Sequence, residues 1–334
     1  MNKYNLRKVV FEITQKCNLS CLHCGSDCKS EQRGELTTMQ ILNIISQCKE
    51  LGADFICLTG GELTTRSDVK EIIEYSKKKE LYVSVMTNGW DVNAEDLKQA
   101  DLVSFSIDGN IETHNEIRRK GSLEAIIETN IKVKKLGIKT AAVTTVMKRN
   151  IDQLKEILQL VLLSEMKEWQ LQLGRPYGRL SRLDCIWPEE IDKIIDFVHQ
   201  NKDVMKISLA DCIGYYNKKE YEIRTGQDCG WSGCQAGKSV IGILSNGDVT
   251  GCTSIRNEGF IEGNIKDKSL VEIWNNGFKY NRNLTNSKLK GLCKGCKYTE
   301  CKGGCISSRL AFGSKYSENK YCSYNNYISN KIKG

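Results

Sequence analysis

Only two prolines occur in 334 residues, so no proline-rich linker breaks the chain. No apolar run approaches the ~20 residues that cross a bilayer. Residues 1–8 are polar and charged and lack the apolar core of an export signal. No low-complexity segment, nucleic-acid motif or long repeat stands out beyond a recurring strand–helix unit. These absences point to a cytoplasmic protein that engages neither membrane nor nucleic acid. What the chain has in excess is cysteine, 16 in all. An exported chain would pair them as disulfides, whereas a cytosolic one with clustered thiols reads as metal-binding.

The formal net charge is +8. Lysines gather at 77–79, at 132, 134 and 135, and between 288 and 302. Solvated helix faces explain most such runs. The alternative is a surface for an acidic partner, such as an acidic peptide or a flavodoxin-type electron donor.

An apolar run at 9–14 delivers the chain into a cysteine-rich loop. Alternating units follow. Helical periodicity is expected over 37–51, 68–79, 94–100, 123–136 and 151–163, and extended runs over 55–58, 82–86, 102–107, 140–147 and 169–173. This βα rhythm calls for a parallel sheet with helices outside. About six strands fall short of the eight of a closed barrel. Ligands of such sheets bind beyond the C-terminal strand ends, which is where the cysteine loop lies. Pro188 suits the first turn of a further helix over 189–200, and 204–210 reads as one more strand. Composition shifts to Cys, Gly and Asn from Cys229 onward. The expected division is a partial barrel over 1–214, a linker over 215–228 and a small cysteine-rich domain over 229–334.

Cys17, Cys21 and Cys24 stand in Cys-Asn-Leu-Ser-Cys-Leu-His-Cys. Three thiolates on one short loop can hold three irons of a [4Fe–4S] cluster, which normally takes four cysteines. The fourth iron is then open for chemistry. A zinc site or three unrelated buried thiols are the plainer readings. Thr59-Gly60-Gly61-Glu62 follows the second expected strand, Met86-Thr87-Asn88-Gly89 the third, and Ser104-Phe105-Ser106-Ile107-Asp108-Gly109 the fourth, with His114 and Arg118 downstream. Glycines admit a close backbone approach, a carboxylate can accept from an ammonium group, and an arginine fork suits a carboxylate.

Taken together, these motifs resemble the radical S-adenosylmethionine (radical SAM) enzymes, whose signature is CxxxCxxC with an aromatic residue before the last Cys. Here His23 takes that place. The resemblance implies an α/β fold, a partial (β/α)6 barrel, with SAM chelating the open iron and one electron splitting it to a 5′-deoxyadenosyl radical. It assigns Cys17, Cys21 and Cys24 to the cluster, Gly60, Gly61 and Glu62 to the SAM amino group, Asn88 to the TNG turn, and Ser106 and Arg118 to the SAM carboxylate. His114 is expected to make a structural hydrogen bond.

The C-terminal pattern is Cys229, Cys234-x12-Gly247-x4-Cys252, then Cys293-x2-Cys296-x4-Cys301-x3-Cys305, and Cys322. It resembles the SPASM extension, CX9–15GX4C…CX2CX5CX3C…C, one interval being a residue short. The resemblance implies two auxiliary [4Fe–4S] clusters and so three in all. One is held by Cys229, Cys234, Cys252 and Cys305, the other by Cys293, Cys296, Cys301 and Cys322. A zinc knot at 293–305 is the alternative. Asn246-Gly247 reads as a hairpin turn. Of the other cysteines, Cys28, Cys48, Cys57, Cys185 and Cys212, the second and third fit core positions.

SPASM-bearing members mostly modify peptides, forming thioethers or carbon–carbon crosslinks, inverting an α-carbon or oxidising by two electrons. The expected function is therefore maturation of a ribosomally made peptide. No leader-binding domain precedes the barrel, so a separate protein is expected to deliver the peptide, and a flavodoxin- or ferredoxin-type donor to deliver electrons. Alternatives are a dehydrogenase or epimerase of a sugar or cyclitol, and a non-catalytic electron carrier, which would need no SAM motifs. Sulfatase maturation is disfavoured, because Thr253 stands where those members carry a basic Asp after the Cys matching Cys252. Cys212, near the end of an expected strand, is a candidate hydrogen-atom donor, against the plainer reading of a buried hydrophobe.

Overall fold

A computed structural model describes residues 4–30, 34–210, 212–224 and 231–333. Ten strands occur among them: β1 (Lys8–Glu12), β2 (Phe55–Thr59), β3 (Tyr82–Thr87), β4 (Leu102–Ser106), β5 (Lys139–Val146), β6 (Glu168–Leu173), β7 (Lys206–Leu209), β8 (Val240–Ile243), β9 (Asp248–Thr250) and β10 (Ile261–Asn264). The chain divides into two compact units. One comprises Met1–Ser106, Arg118–Ala141 and Gln235–Asn283, the other Ile107–Ile117, Ala142–Cys234 and Leu284–Gly334.

In the first unit β1, β2, β3 and β4 pair in parallel in that order. Val9, Phe11, Ile56, Leu58, Val83 and Val85 are fully buried. Such near-continuous apolar strands are what a sheet covered on both faces requires. The crossover helices are built from local signals. Thr38–Glu50 opens on a capping box between Thr37 and Gln40 and buries Ile41, Ile44, Ile45 and Cys48. Val69–Lys78 buries Val69, Ile72, Ile73 and Ser76 and ends on Lys77 and Lys78, cations that suit a helix C-terminus.

On the other side of β1, β8 pairs in parallel with it, Lys8 opposite Val240 and Phe11 opposite Ile243. β9 returns antiparallel to β8, and β10 antiparallel to β9. The β8–β9 hairpin turns at Asn246-Gly247 as expected. Gly247 has φ +94°, the left-handed region that a side chain disfavours, and Asn246 Oδ1 accepts the Asp248 N–H at 3.1 Å.

The second unit contains the parallel pair β6–β7 and the helices Leu154–Leu163 and Ile191–Asn201. Ile117, Met147, Leu180 and Cys185 form a small buried group with Phe312 against it.

The α/β architecture expected from the βα rhythm is present. Departures are local. The segment 94–100 forms only a 3-10 turn, Ala94–Leu97, and the helix expected over 151–163 opens as a 3-10 turn. Helix Ile111–Ile117 carries no strong sequence signal. Within 215–228, Tyr215 is fully buried and Glu220–Ile223 is helical, while 225–228 lie outside the described residues. The units do not follow chain order, because β8 joins the sheet edge at β1 and brings 235–283 into the first unit.

Candidate active site and cluster sites

The loop after β1 closes on itself. The Cys17 N–H donates to Lys29 O at 2.9 Å, and the Asp27 N–H to Cys24 O at 3.3 Å. Asp27 has φ +49°, a conformation Asp tolerates better than most residues. Within this loop stand Cys17, Cys21 and Cys24, the second buried and the others half-buried. Each sulfur accepts a hydrogen bond from a different residue. Asn88 Nδ2 lies 3.9 Å from Cys17 Sγ, Arg118 Nη1 3.9 Å from Cys21 Sγ, and the Cys28 N–H 3.4 Å from Cys24 Sγ. Burial pushes the Cys17 thiol up to about 11. A thiol gives up its proton to bind a metal, so any ligation at this position would release one.

The first-unit motifs meet behind this loop. A Cβ on Gly60 would lie 2.6 Å from Thr14 O, and one on Gly61 2.3 Å from Lys16 O. The two glycines thus let this turn lie directly against the backbone that enters the cysteine loop. That contact is closed by the Gly61 N–H on Thr14 O at 2.7 Å and the Glu62 N–H on Lys16 O at 2.8 Å. Glu62 is buried. Its Oε1 accepts from Thr64 Oγ1 at 2.9 Å, Thr87 Oγ1 at 2.8 Å and the Thr64 N–H at 3.3 Å, and its Oε2 from the Asn88 N–H at 2.7 Å. Burial pushes this carboxyl above its ordinary range, and the hydrogen bonds oppose that without cancelling it. One carboxylate therefore ties the GGE turn to the TNG turn. Asn88 in turn donates to Asn18 Oδ1 at 2.8 Å, and Asn18 to Trp90 O at 2.9 Å.

Cys17, Asn18, Ser20, Lys29, Arg118 and Arg119 line one open cavity. Ser106 is half-buried at the end of β4. Arg119 stacks on the Trp90 ring, 4.3 Å from its centroid. Two guanidinium groups and an ammonium beside a thiol loop favour a carboxylate ligand. Sequence reasoning picked out Arg118 and passed over Arg119, Asn18 and Lys29, which carry no motif.

A second contact was also invisible in sequence. Arg256 is bidentate on Glu12, with Nη1–Oε1 at 3.2 Å and Nη2 on Oε2, and its Nη2 reaches Ser26 Oγ at 2.6 Å. It ties the end of β1 to the cysteine loop. The partners are 244 residues apart.

In the second unit, Cys293, Cys296, Cys301 and Cys322 line one small cavity together with Tyr215 and Gly303. Burial pushes the Cys301 thiol up to about 12 and raises Cys293 and Cys322 as well. Cys305 lies nearby in sequence. Its N–H donates to the Tyr215 hydroxyl at 2.9 Å, and its sulfur accepts from Arg175 Nη1 at 3.4 Å. Cys234 falls in the second unit and Cys252 in the first, and Cys229 lies outside the described residues. Cys212 sits in the turn after β7, 4% exposed, and accepts the Leu173 N–H at 3.1 Å. His114 is fully buried and its Nδ1 accepts the Asp108 N–H at 3.1 Å, a structural bond of the expected kind. Among the described residues the fifteen cysteines form no disulfide, and no helix is long and apolar enough to cross a membrane.

Comparison with known proteins extends these observations. The family model for the Radical SAM superfamily matches residues 11–161, and that for the SPASM iron–sulfur cluster-binding domain matches 234–297. An AdoMet-dependent heme synthase of Methanosarcina barkeri is 30% identical over 95% of this chain and 96% of its own length. The chain belongs to the radical SAM superfamily. This radical SAM/SPASM enzyme is also 28% identical to the mycofactocin maturase MftC of Mycolicibacterium smegmatis, over 91% of this chain and 79% of that one. Its fold is that of Streptococcus suis SuiB, solved with SAM, at TM-score 0.76 and 15% identity, covering 95% of this chain and 76% of that one. Radical SAM and SPASM domains bind iron–sulfur clusters and SAM, so the thiols above belong to a protein that holds such groups.

Proposed function

We propose that this enzyme holds a [4Fe–4S] cluster on Cys17, Cys21 and Cys24 and, with SAM on its open iron, takes a hydrogen atom from a peptide substrate. The observation that carries the reading is the closed loop of three thiols beside a cavity lined by Arg118, Arg119 and Lys29. When bound, the cofactors supply a carbon-centred radical able to attack an unactivated C–H bond. The chain's own residues bind and orient. Arg118, with Ser106, takes the methionine carboxylate. Glu62 has one lone-pair position left on Oε2 after its four donors, which suits the methionine ammonium group. Gly60 and Gly61 keep the turn carrying Glu62 against the thiol loop, and Asn88 links both.

Cys293, Cys296, Cys301 and Cys322 hold one auxiliary cluster, and Cys229, Cys234, Cys252 and Cys305 the other. A cubane spreads its thiolates over separate corners, which suits the cavity that Cys293, Cys296, Cys301 and Cys322 line. The domain division that goes with this reading is a barrel over 1–214, a link over 215–228 and a cluster domain over 229–334. The protein works in the cytoplasm, where its thiols stay reduced, and takes electrons from a flavodoxin- or ferredoxin-type donor.

Likeness to the mycofactocin maturase supports a peptide substrate. A heme precursor is the second reading, favoured by the heme synthase relative that matches nearly end to end. The test is anaerobic reconstitution, which should give ~12 iron per chain, followed by dithionite, SAM and either a precursor peptide encoded beside the gene or a heme-precursor porphyrin. Peptide-dependent 5′-deoxyadenosine, with a peptide two hydrogens lighter or inverted at one α-carbon, is the expected result. Turnover with the porphyrin alone would overturn the peptide reading.

A further inference from the structure

Arg309 is among the largest fully buried side chains of the described residues, at 1% exposure, on the short helix Ile306–Phe312. Its Nη1 donates to Lys315 O. Its Nε and Nη2 are buried with no hydrogen-bond partner. A guanidinium stays protonated in a protein, and a charge kept from water without a counter-ion is strongly disfavoured. Its surroundings place it behind the wall of a thiol-lined cavity. A Cβ on Gly303 would sit 3.3 Å from Arg309 Nε and 3.4 Å from its Cδ, and Gly303 lines the cavity of Cys293, Cys296, Cys301 and Cys322.

We infer that Arg309 is the built-in counter-charge of the iron–sulfur cluster held by Cys293, Cys296, Cys301 and Cys322, and that it sets that cluster's reduction potential. The inference rests on the reading of these four cysteines as ligands. Four thiolates around a [4Fe–4S] core leave a net negative charge, and one-electron reduction adds another. A buried cation next to it stabilises the reduced form more than the oxidised form. Burial and local charge are known levers on such potentials. The unspent N–H groups are suited to the cluster's sulfurs, which accept weak hydrogen bonds.

The test uses the reconstituted full chain carrying Cys17→Ala, Cys21→Ala and Cys24→Ala, so that only auxiliary signals remain. Dithionite titration followed by electron paramagnetic resonance gives the midpoints, and the signal lost in Cys293→Ala identifies the cluster in question. Arg309→Gln should lower the equilibrium constant for its reduction at least tenfold, a shift of 59 mV to more negative potential for one electron. Arg309→Lys keeps the charge and should stay within threefold of the parent. A Gln variant with the parental midpoint, or a Lys variant that behaves like Gln, overturns the counter-charge role. Loss of the cluster in Gln but not in Lys supports it, and loss in both overturns it. If Cys293→Ala changes neither iron content nor any signal, the ligand assignment itself fails, independently of Arg309.

Discussion

Replacing Arg256 by Met would remove the only charge seen on Glu12 among the described residues while leaving a side chain of similar length. Glu12 is 2% exposed, at the end of β1. It would be left as a buried carboxylate without its bidentate partner, and Ser26 Oγ would lose its donor. Breaking a buried pair from one side costs about 3–5 kcal/mol. Arg256 is itself a quarter exposed, which places the cost near the lower end, about 3 kcal/mol. At a urea slope of about 3 kcal/mol per molar, that is a midpoint about 1 M lower. Anaerobic urea unfolding of the reconstituted protein, followed by tryptophan fluorescence, reads the shift. Iron per chain should also fall, because the pair anchors the loop that holds Cys17, Cys21 and Cys24. The double change Glu12→Met with Arg256→Met removes both charges and should recover all but about 1 kcal/mol, the remaining loss being the hydrogen bond to Ser26. A single variant within 0.2 M of the wild type (roughly the resolution expected of a linear extrapolation), or a double variant no better than the single, would refute the reasoning.

Further outcomes follow from the same geometry. Changing Cys17, Cys21 and Cys24 together to Ala should remove ~4 iron and all 5′-deoxyadenosine production, while the iron bound elsewhere stays. Arg118→Ala should weaken SAM binding in equilibrium dialysis with iron content intact, and an unchanged affinity would show that the carboxylate clamp lies elsewhere. Gly61→Ala would drive a methyl group into Lys16 O, 2.3 Å from the Cβ position, and should impair iron loading at the adjacent thiol loop; full loading would mean that the two turns separate freely. Cys212→Ala should leave 5′-deoxyadenosine formation intact, since the thiol is buried and accepts a backbone N–H. Loss of an inverted product with that formation retained would assign it the hydrogen-donor role, and normal product yield would remove it.

Much of the first unit was legible in the chain itself. Burial at every third or fourth residue writes a helix, and an apolar run between turns writes a covered strand. The expected helix over 37–51 is Thr38–Glu50 with Thr37 as its cap, and the extended run at 55–58 is part of β2. The spacing of Cys17, Cys21 and Cys24 was equally plain, because ligands on one loop are set by local chain length. Glu62 stands out in the sequence by its motif, whereas its four internal hydrogen bonds do not.

What sequence could not supply are the long-range pairings. Periodicity reports that a segment is buried, not against what. The run at 240–243 therefore gave no sign that it would join β1 in parallel and bring 235–283 into the first unit. Charge is equally mute about its surroundings. Arg256 and Arg309 look like any surface arginine in a chain of net charge +8, yet one neutralises a carboxylate 244 positions away and the other lies buried with two donors unspent. Local spacing determined which thiols and turns could do chemistry. Only the folded backbone decided which charges stand behind them, because desolvation and Coulomb energy depend on distances that chain order does not encode.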